Sequence, residues 1–331
     1  MSTVAEQSHT AGGSVLDQVG ENIINHVSNT YTSDPAEFHP IIYFPDLFDI
    51  AEGHDMFNIL YSLSVTKHVL MLWVVFILIA CAIIIPVRKY LNQEKAIPSG
   101  WMNALESVVK FIRDSIVQPN VGSKHTETWA PIILTFFFFI LFANGIGLLP
   151  IFDILGAFNR FILDIHAPPP GVEDHNFINS LLHGGATVTG NFNVTAGLAT
   201  ITFFAIMVAG SRTHGFINHW KNLAPHGLAW PVYIILIPIE IIGMFVKPFA
   251  LTMRLAANMT GGHIAILAIL SFMAIFADMF DSTVTGISVA LFSIPMATAI
   301  SGLEIIVVLV QAYVFTLLSA VFIGMAINVH H

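Results

Sequence analysis

Two apolar runs fill the last hundred residues of the chain, Leu223 to Ala277 and Thr283 to Val329, and Asp278 and Asp281 mark the turn between them. Hydrocarbon offers a peptide group no hydrogen bond, so such runs must satisfy their backbones internally, as helices do. At 1.5 Å per residue each would reach roughly 70–80 Å, more than twice a ~30 Å hydrocarbon core. Either each run folds into two short spans, or each is one long helix, bent and steeply tilted. Pro225, Pro231, Pro238, Pro248 and Pro295 permit bends. Periodicity alone leaves both arrangements open.

Composition agrees with a membrane setting. Only 10% of the 331 residues are charged and 55% are hydrophobic, against about 25% charged in soluble domains. A formal charge of −9 argues against nucleic acid as a partner. The single cysteine, Cys81, excludes an intramolecular disulfide and a Cys-based zinc site. The 15 histidines are scattered without metal-ligand spacing, so no metal is expected. No phosphate-binding loop is present, since "NGIGLLP" lacks the lysine. Neither a nucleotide site, nor a cofactor, nor a catalytic residue is therefore expected in this chain.

Three further segments are long and apolar enough to span: 68–87, 130–152 and 193–210. With the two long runs, read as 225–277 and 283–328, they make about five crossings of an all-α polytopic membrane protein. Segment 99–117 differs. Its Trp101, Leu105, Val108, Val109, Ile112 and Ile116 recur at helical spacing, with Glu106, Lys110, Arg113 and Asp114 elsewhere. That pattern is an amphipathic helix, lying on the inner membrane surface or against the bundle and not spanning.

Charge sets the orientation. Residues 1–66 hold nine acidic residues, from Glu6 to Asp55, and no Lys or Arg. They read as an acidic extracytoplasmic extension, and 67–331 as the membrane domain. Arg88, Lys89, Lys95, Lys110, Arg113 and Lys124 follow the first span, and Arg212 and Lys221 follow the third. The positive-inside rule then leaves the N-terminus outside and the C-terminus cytoplasmic.

The long runs carry few ionisable groups: Glu240, Lys247, Arg254, His263 and Glu304, with Asn258 and Gln311 among the amides. Glu240, Lys247 and Arg254 are spaced by seven and share a helix face, as do Glu304 and Gln311. Asn258 adjoins Arg254 one turn on. Arginine cannot shed its proton, and at the centre of a membrane helix it costs roughly 2.5–3.5 kcal/mol. Simple pairing of Glu240 with Lys247 and Arg254 with Glu304 leaves His263 and two amides over. A histidine beside a carboxylate is an ingredient of a proton relay.

The run "KPFALTMRLAANMTGGH" (247–263) resembles the signature of the a subunit of rotary F-type ATP synthases. "FANGIGLLP" (142–150), "NFNVTAGLA" (191–199), the "PIE" beginning at Pro238, and Glu304 with Gln311 resemble the same family in the same order. The likeness covers roughly residues 65–328. It implies a stator subunit that carries protons past a rotating ring of c subunits, with its last two helices long and steeply tilted around that ring. By resemblance Arg254 matches the arginine facing the ring carboxylate, and Asn258 and Gln311 match polar positions near it. His263 and Glu304 match the pair on the proton-entry side, and Glu240 a position on the exit side; Lys247 supports the set. Peripheral-stalk b subunits, the rest of the synthase and a bacterial inner membrane are implied in the same way. Ala256 stands where the family commonly has an aromatic residue. The competing class, a stand-alone ion channel or secondary transporter, predicts matching halves. Here the polar set is confined to the C-terminal third.

Overall fold

The computed structural model describes residues 67–92, 100–148, 187–221 and 230–328, together with residues 19, 20 and 23. Most of the acidic extension expected over 1–66 lies outside the described residues, as do 149–186, 222–229 and 329–331. Every regular element among the described residues is helical. Helix α1 (Lys67–Ile79) passes through a π-helical turn, Ala80–Ile84, into α2 (Ile85–Leu91). Helix α3 (Trp101–Phe111) passes through a second π-helical stretch, Ile112–Val117, into α4 (Gln118–Val121). Then follow α5 (Thr126–Leu148), a 3-10 turn at Val188–Gly190, α6 (Phe192–His214), the short α7 (Phe216–Lys221), α8 (Trp230–Met279) and α9 (Thr283–Ile327).

Five helices among the described residues are long and apolar enough to cross a membrane: Met71–Leu91, Thr126–Leu148, Phe192–His214, Pro231–Met279 and Thr283–Ile327. The two long runs are thus two single helices, of 50 and 45 residues. Pro238 and Pro248 lie inside α8 and Pro295 inside α9 without ending either. A proline removes one backbone donor, which a long helix tolerates where neighbouring groups compensate. A 50-residue helix is about 75 Å long, so an apolar surface of that length fits a bilayer only at a strong inclination.

The chain forms two compact units, and α8 and α9 each run from one into the other. The larger, Leu72–Ile146, Val188–Asn258 and Ile306–His331, holds the main core. There α5 supplies Ile133, Phe136 and Ile140, α6 supplies Ala199, Ala205 and Ala209, and α9 supplies Ala312, Phe315, Ala320 and Ile323. Small residues on α6 and α9 let helix backbones approach, which compensates for the weak hydrophobic drive between helices in lipid. Phe136 and Phe315 meet edge to face, ring centroids 5.5 Å apart.

The amphipathic helix belongs to this unit. Leu105, Ile112, Ile116, Val117 and Val121 are buried in the core, while Lys110, Arg113 and Asp114 are exposed. Its start is tied to the first span. Pro86 has no N–H to return to the Ala82 carbonyl four residues back, and the Trp101 indole N–H donates to that carbonyl at 2.9 Å. Its end is tied to the last helix. The Asn328 amide donates to the Asn120 carbonyl at 3.3 Å, and a Cβ at Gly324 would fall on that same oxygen, so only glycine admits the approach. The His214 Nε2–H donates to the Ile327 carbonyl at 2.9 Å, satisfying one of the orphan acceptors at the end of α9.

In the other unit the described residues are chiefly Met259–Ile305, the hairpin of α8 and α9. The Ser282 N–H bonds to the Ala277 carbonyl and the Asp281 N–H to the Asp278 carbonyl. Asp281 has φ 44°, a left-handed conformation that a short polar side chain tolerates. This pair of bonds closes α8 as a Schellman end. Ser282 accepts from Thr285 and so opens α9.

Candidate functional site

Helix α8 carries Glu240, Lys247, Arg254, Asn258 and His263; α9 carries Glu304 and Gln311. Glu240, Lys247, Arg254, Asn258 and Gln311 fall in the larger unit, and His263 and Glu304 in the hairpin unit.

Helical spacing sorts the middle of α8 into two sides. Leu251, Thr252, Leu255, Ala256 and Met259 are buried. Ala250, Met253, Arg254, Ala257 and Asn258 are exposed. Arg254 and Asn258 therefore stand together on an outward side otherwise made of small or slender residues. Within 4.0 Å, Arg254 forms no ion pair among the described residues, and Glu240 and Lys247 do not pair with each other. The Lys247 ammonium instead lies 5.8 Å from the centroid of the Phe322 ring, within cation–π range. Both Glu240 and Lys247 are half-buried. Gln311 is 6% exposed and faces inward from α9.

Glu304 is the most enclosed of the charged candidates, at 3% exposure. Neither of its carboxylate oxygens has a hydrogen-bond partner among the described residues. The carboxyl group lies against Gly262 of α8, one residue before the half-buried His263. The structure thus brings Glu304 to the stretch of α8 that carries the histidine.

Two residues that sequence reasoning had not singled out emerge here. Gly262 is one; the visible signal was a Gly-Gly doublet inside an apolar helix, which costs about 1 kcal/mol per glycine relative to alanine and so asks for a reason. The other is Asn144, fully buried on α5, whose Oδ1 accepts a hydrogen bond from the buried Thr189 hydroxyl. Its Nδ2 has no hydrogen-bond partner among the described residues. An amide in an otherwise apolar span was the signal for it. No three His, Cys, Asp or Glu side chains among the described residues are grouped so as to hold a metal ion.

Chemically, the arrangement offers in one unit a fixed cation on an outward side with the Asn258 amide one turn on, and in the other a buried carboxylate beside a histidine-bearing stretch. Residues 69–324 match the family model for the ATP synthase A chain. The chain is 35% identical over 323 residues to ATP synthase subunit a 2 of Prosthecochloris aestuarii, covering 96% of this chain and 82% of that one. It is 36% identical over 321 residues to ATP synthase subunit a of Chlorobium phaeobacteroides, covering 96% and 78%. With ATP synthase subunit a of Anaeromyxobacter dehalogenans the identity is 33% over 335 residues, covering 99% and 76%. Extent and consistency decide the matter: the chain belongs to the family of F-type ATP synthase a subunits, multi-pass membrane proteins that work within the synthase.

Proposed function

We propose that the chain passes protons through two offset half-channels, loading and unloading the carboxylates of a rotating c-subunit ring, with Arg254 as the separator between them. The observation that carries this reading is the placing of Arg254. It is exposed on an apolar helix and joins no ion pair among the described residues. A guanidinium left to lipid there costs roughly 2.5–3.5 kcal/mol, so a partner beyond the described residues is called for, and a ring carboxylate has the charge to serve.

A ring carboxylate must lose its proton toward one face of the membrane and gain another from the other face. If both happened at one place, protons would leak without turning the rotor. Arg254 stabilises the carboxylate while it is ionised, and its fixed charge repels a proton wire across the gap. The attraction must also release. Asn258 stands one turn from Arg254, and Gln311 on α9 is the amide that the resemblance places near it; both offer hydrogen bonds that moderate a pair which full desolvation would make too tight.

Protons enter past Glu304 and His263 and leave past Glu240, with Lys247 supporting the exit side. One charge crossing 100 mV releases about 2.3 kcal/mol, which drives rotation. In this reading the N-terminus lies outside a bacterial inner membrane and the C-terminus in the cytoplasm. Peripheral-stalk b subunits hold the chain against the turning ring.

Replacing Arg254 with Ala tests the reading in inverted membrane vesicles. Expected are loss of ATP-driven proton pumping and retention of passive proton conductance once the catalytic head is stripped off. Pumping that survives the substitution overturns it.

A further inference from the structure

We infer that Phe322 is a positioning residue for proton exit: its ring holds the Lys247 ammonium and so keeps that charge off Glu240, leaving the carboxyl group free to take and release protons. The inference rests on the reading of Glu240 as the exit group and adds what keeps it available.

Three observations meet here, all within the larger unit. Glu240 and Lys247 stand seven apart on α8, two turns along one face. Long helical side chains turn back toward the helix N-terminus, so a lysine here can reach toward the glutamate. Opposite charges so placed in an apolar helix invite pairing, yet the two form no ion pair within 4.0 Å. The ammonium lies instead 5.8 Å from the centroid of the Phe322 ring on α9. An aromatic face attracts a cation most where water is scarce, and Lys247 and Phe322 are both half-buried. From Ile305 to Ile327 the α9 sequence contains no charged residue, so a ring, and not a carboxylate, meets the ammonium from that helix. The same turn of α8 is held against α6: Phe245, two residues before Lys247, stacks on Phe203 with ring centroids 5.5 Å apart.

The chemistry gives the contact its consequence. A carboxyl group on a proton path must pass between its protonated and ionised forms. An opposite charge within about 4–6 Å favours the ionised form, so an ammonium resting on the carboxylate would keep the next proton away. A ring satisfies the cation without tying up an oxygen that carries protons.

The same geometry predicts which substitutions matter. Leucine is apolar but has no aromatic face, so Phe322→Leu releases the ammonium toward Glu240. Tyrosine keeps the face, so Phe322→Tyr does not. Lys247→Gln removes the charge, and with it the consequence of losing the ring.

The test reads Glu240 directly, in the full synthase in inverted vesicles. Carbodiimides attack carboxyl groups in their protonated form. Vesicles are treated with dicyclohexylcarbodiimide at neutral pH, and the labelled share of the peptide holding Glu240 is measured by mass spectrometry. The native chain is expected to take label there, and Lys247→Gln to match it, because the ammonium is already elsewhere. Phe322→Leu is expected to lower the label about tenfold, the effect of an opposite charge brought close. Phe322→Tyr and the double variant Phe322→Leu/Lys247→Gln are expected to label as the native chain does. The inference is overturned by a native chain that takes no label at Glu240, by a label that rises about tenfold in Lys247→Gln, or by a label in Phe322→Leu equal to the native one. Should Phe322→Leu fail to assemble, Phe322→Met, which also lacks a ring and fills irregular space, carries the same expectations. ATP-driven proton pumping, measured in unlabelled vesicles, separates this failure from that of the exit reading. Pumping is expected to fall with the label in Phe322→Leu and to be retained in Phe322→Tyr. If the label falls and pumping does not, Glu240 is off the exit path, and that reading falls while the seating of the ammonium stands.

Discussion

Arg113 and Arg254 are both exposed, and they are held in opposite ways. Arg113 lies on the amphipathic helix, where its Nε–H donates to Asp114 Oδ1 at 2.7 Å and its NH2 group to Oδ2 at 3.3 Å. Both side chains are about half exposed, and exposed ion pairs are worth little. Arg254 lies on a helix apolar enough to span a membrane, where a lone charge is costly, and there it joins no ion pair among the described residues. The arginine that least needs a partner has one within its own helix, and the one that most needs a partner is turned outward. An exposed charge on such a helix agrees with the role proposed for Arg254 toward a partner in the complex.

The contrast breaks most sharply under a conservative change. Lysine keeps the charge but loses the planar fork that engages a carboxylate at two points. Arg254→Lys should lower ATP-driven proton pumping by about a hundredfold or more, on the scale of losing a preorganised donor. Arg113→Lys should leave pumping within about twofold, since a rim charge in water is readily replaced. Pumping rates in inverted vesicles, at matched amounts of enzyme, check both. Comparable losses at the two positions would show that the two arginines do the same kind of work.

A second comparison concerns the helices themselves. Leu105 on α3 is 5% exposed and packs in the core, whereas Ile242 on α8 is 59% exposed. Leu105→Ala should destabilise the purified chain by about 2–5 kcal/mol, the usual cost of truncating a packed leucine. Ile242→Ala should change stability by no more than about 0.5 kcal/mol. Thermal unfolding in one detergent separates them. A stability loss at Ile242 as large as at Leu105 would mean that the chain itself, and not its partners, covers the outward side of α8.

These positions also show what a sequence can and cannot carry. The crossings were legible because an apolar run of sufficient length has few alternatives in water or lipid, and the turn at Asp278 and Asp281 stood out as the polar break between the two longest. Whether each long run was one helix or two was not legible. Pro238, Pro248 and Pro295 signal local bends, but the continuation of a helix through a proline depends on what packs around it. The short helix α7 went unread because six residues are too few for a periodic pattern. Among the site residues, Arg254, Glu304 and His263 were visible as charges in an apolar background. That Arg254 faces outward and Glu304 inward was not, since both sit on helices whose apolar residues run all the way round. Gly262 was the least legible. A glycine's use at a close approach is defined by the atom that approaches it, and that atom belongs to a residue 42 positions away.

The smallest effect tests the water-facing side of the first contrast through pH. The hydrogen bond from Arg113 holds the Asp114 carboxyl below its ordinary range; slight burial opposes this, and the charges of Arg113 and Lys110 reinforce it. A carboxyl group whose folded pKa is depressed contributes stability that is fully present above its unfolded value of about 4. That contribution is lost as the pH falls through the lower, folded value. Asp114→Asn should therefore reduce the melting temperature slightly at neutral pH, and the gap from the native chain should close only in strongly acidic solution. Between about pH 6 and pH 9 the gap should stay constant, because the carboxyl is ionised throughout in both states. A gap that varies across that neutral window would assign the effect to a different group. The pair would then not be the simple surface contact against which the outward charge of Arg254 is measured.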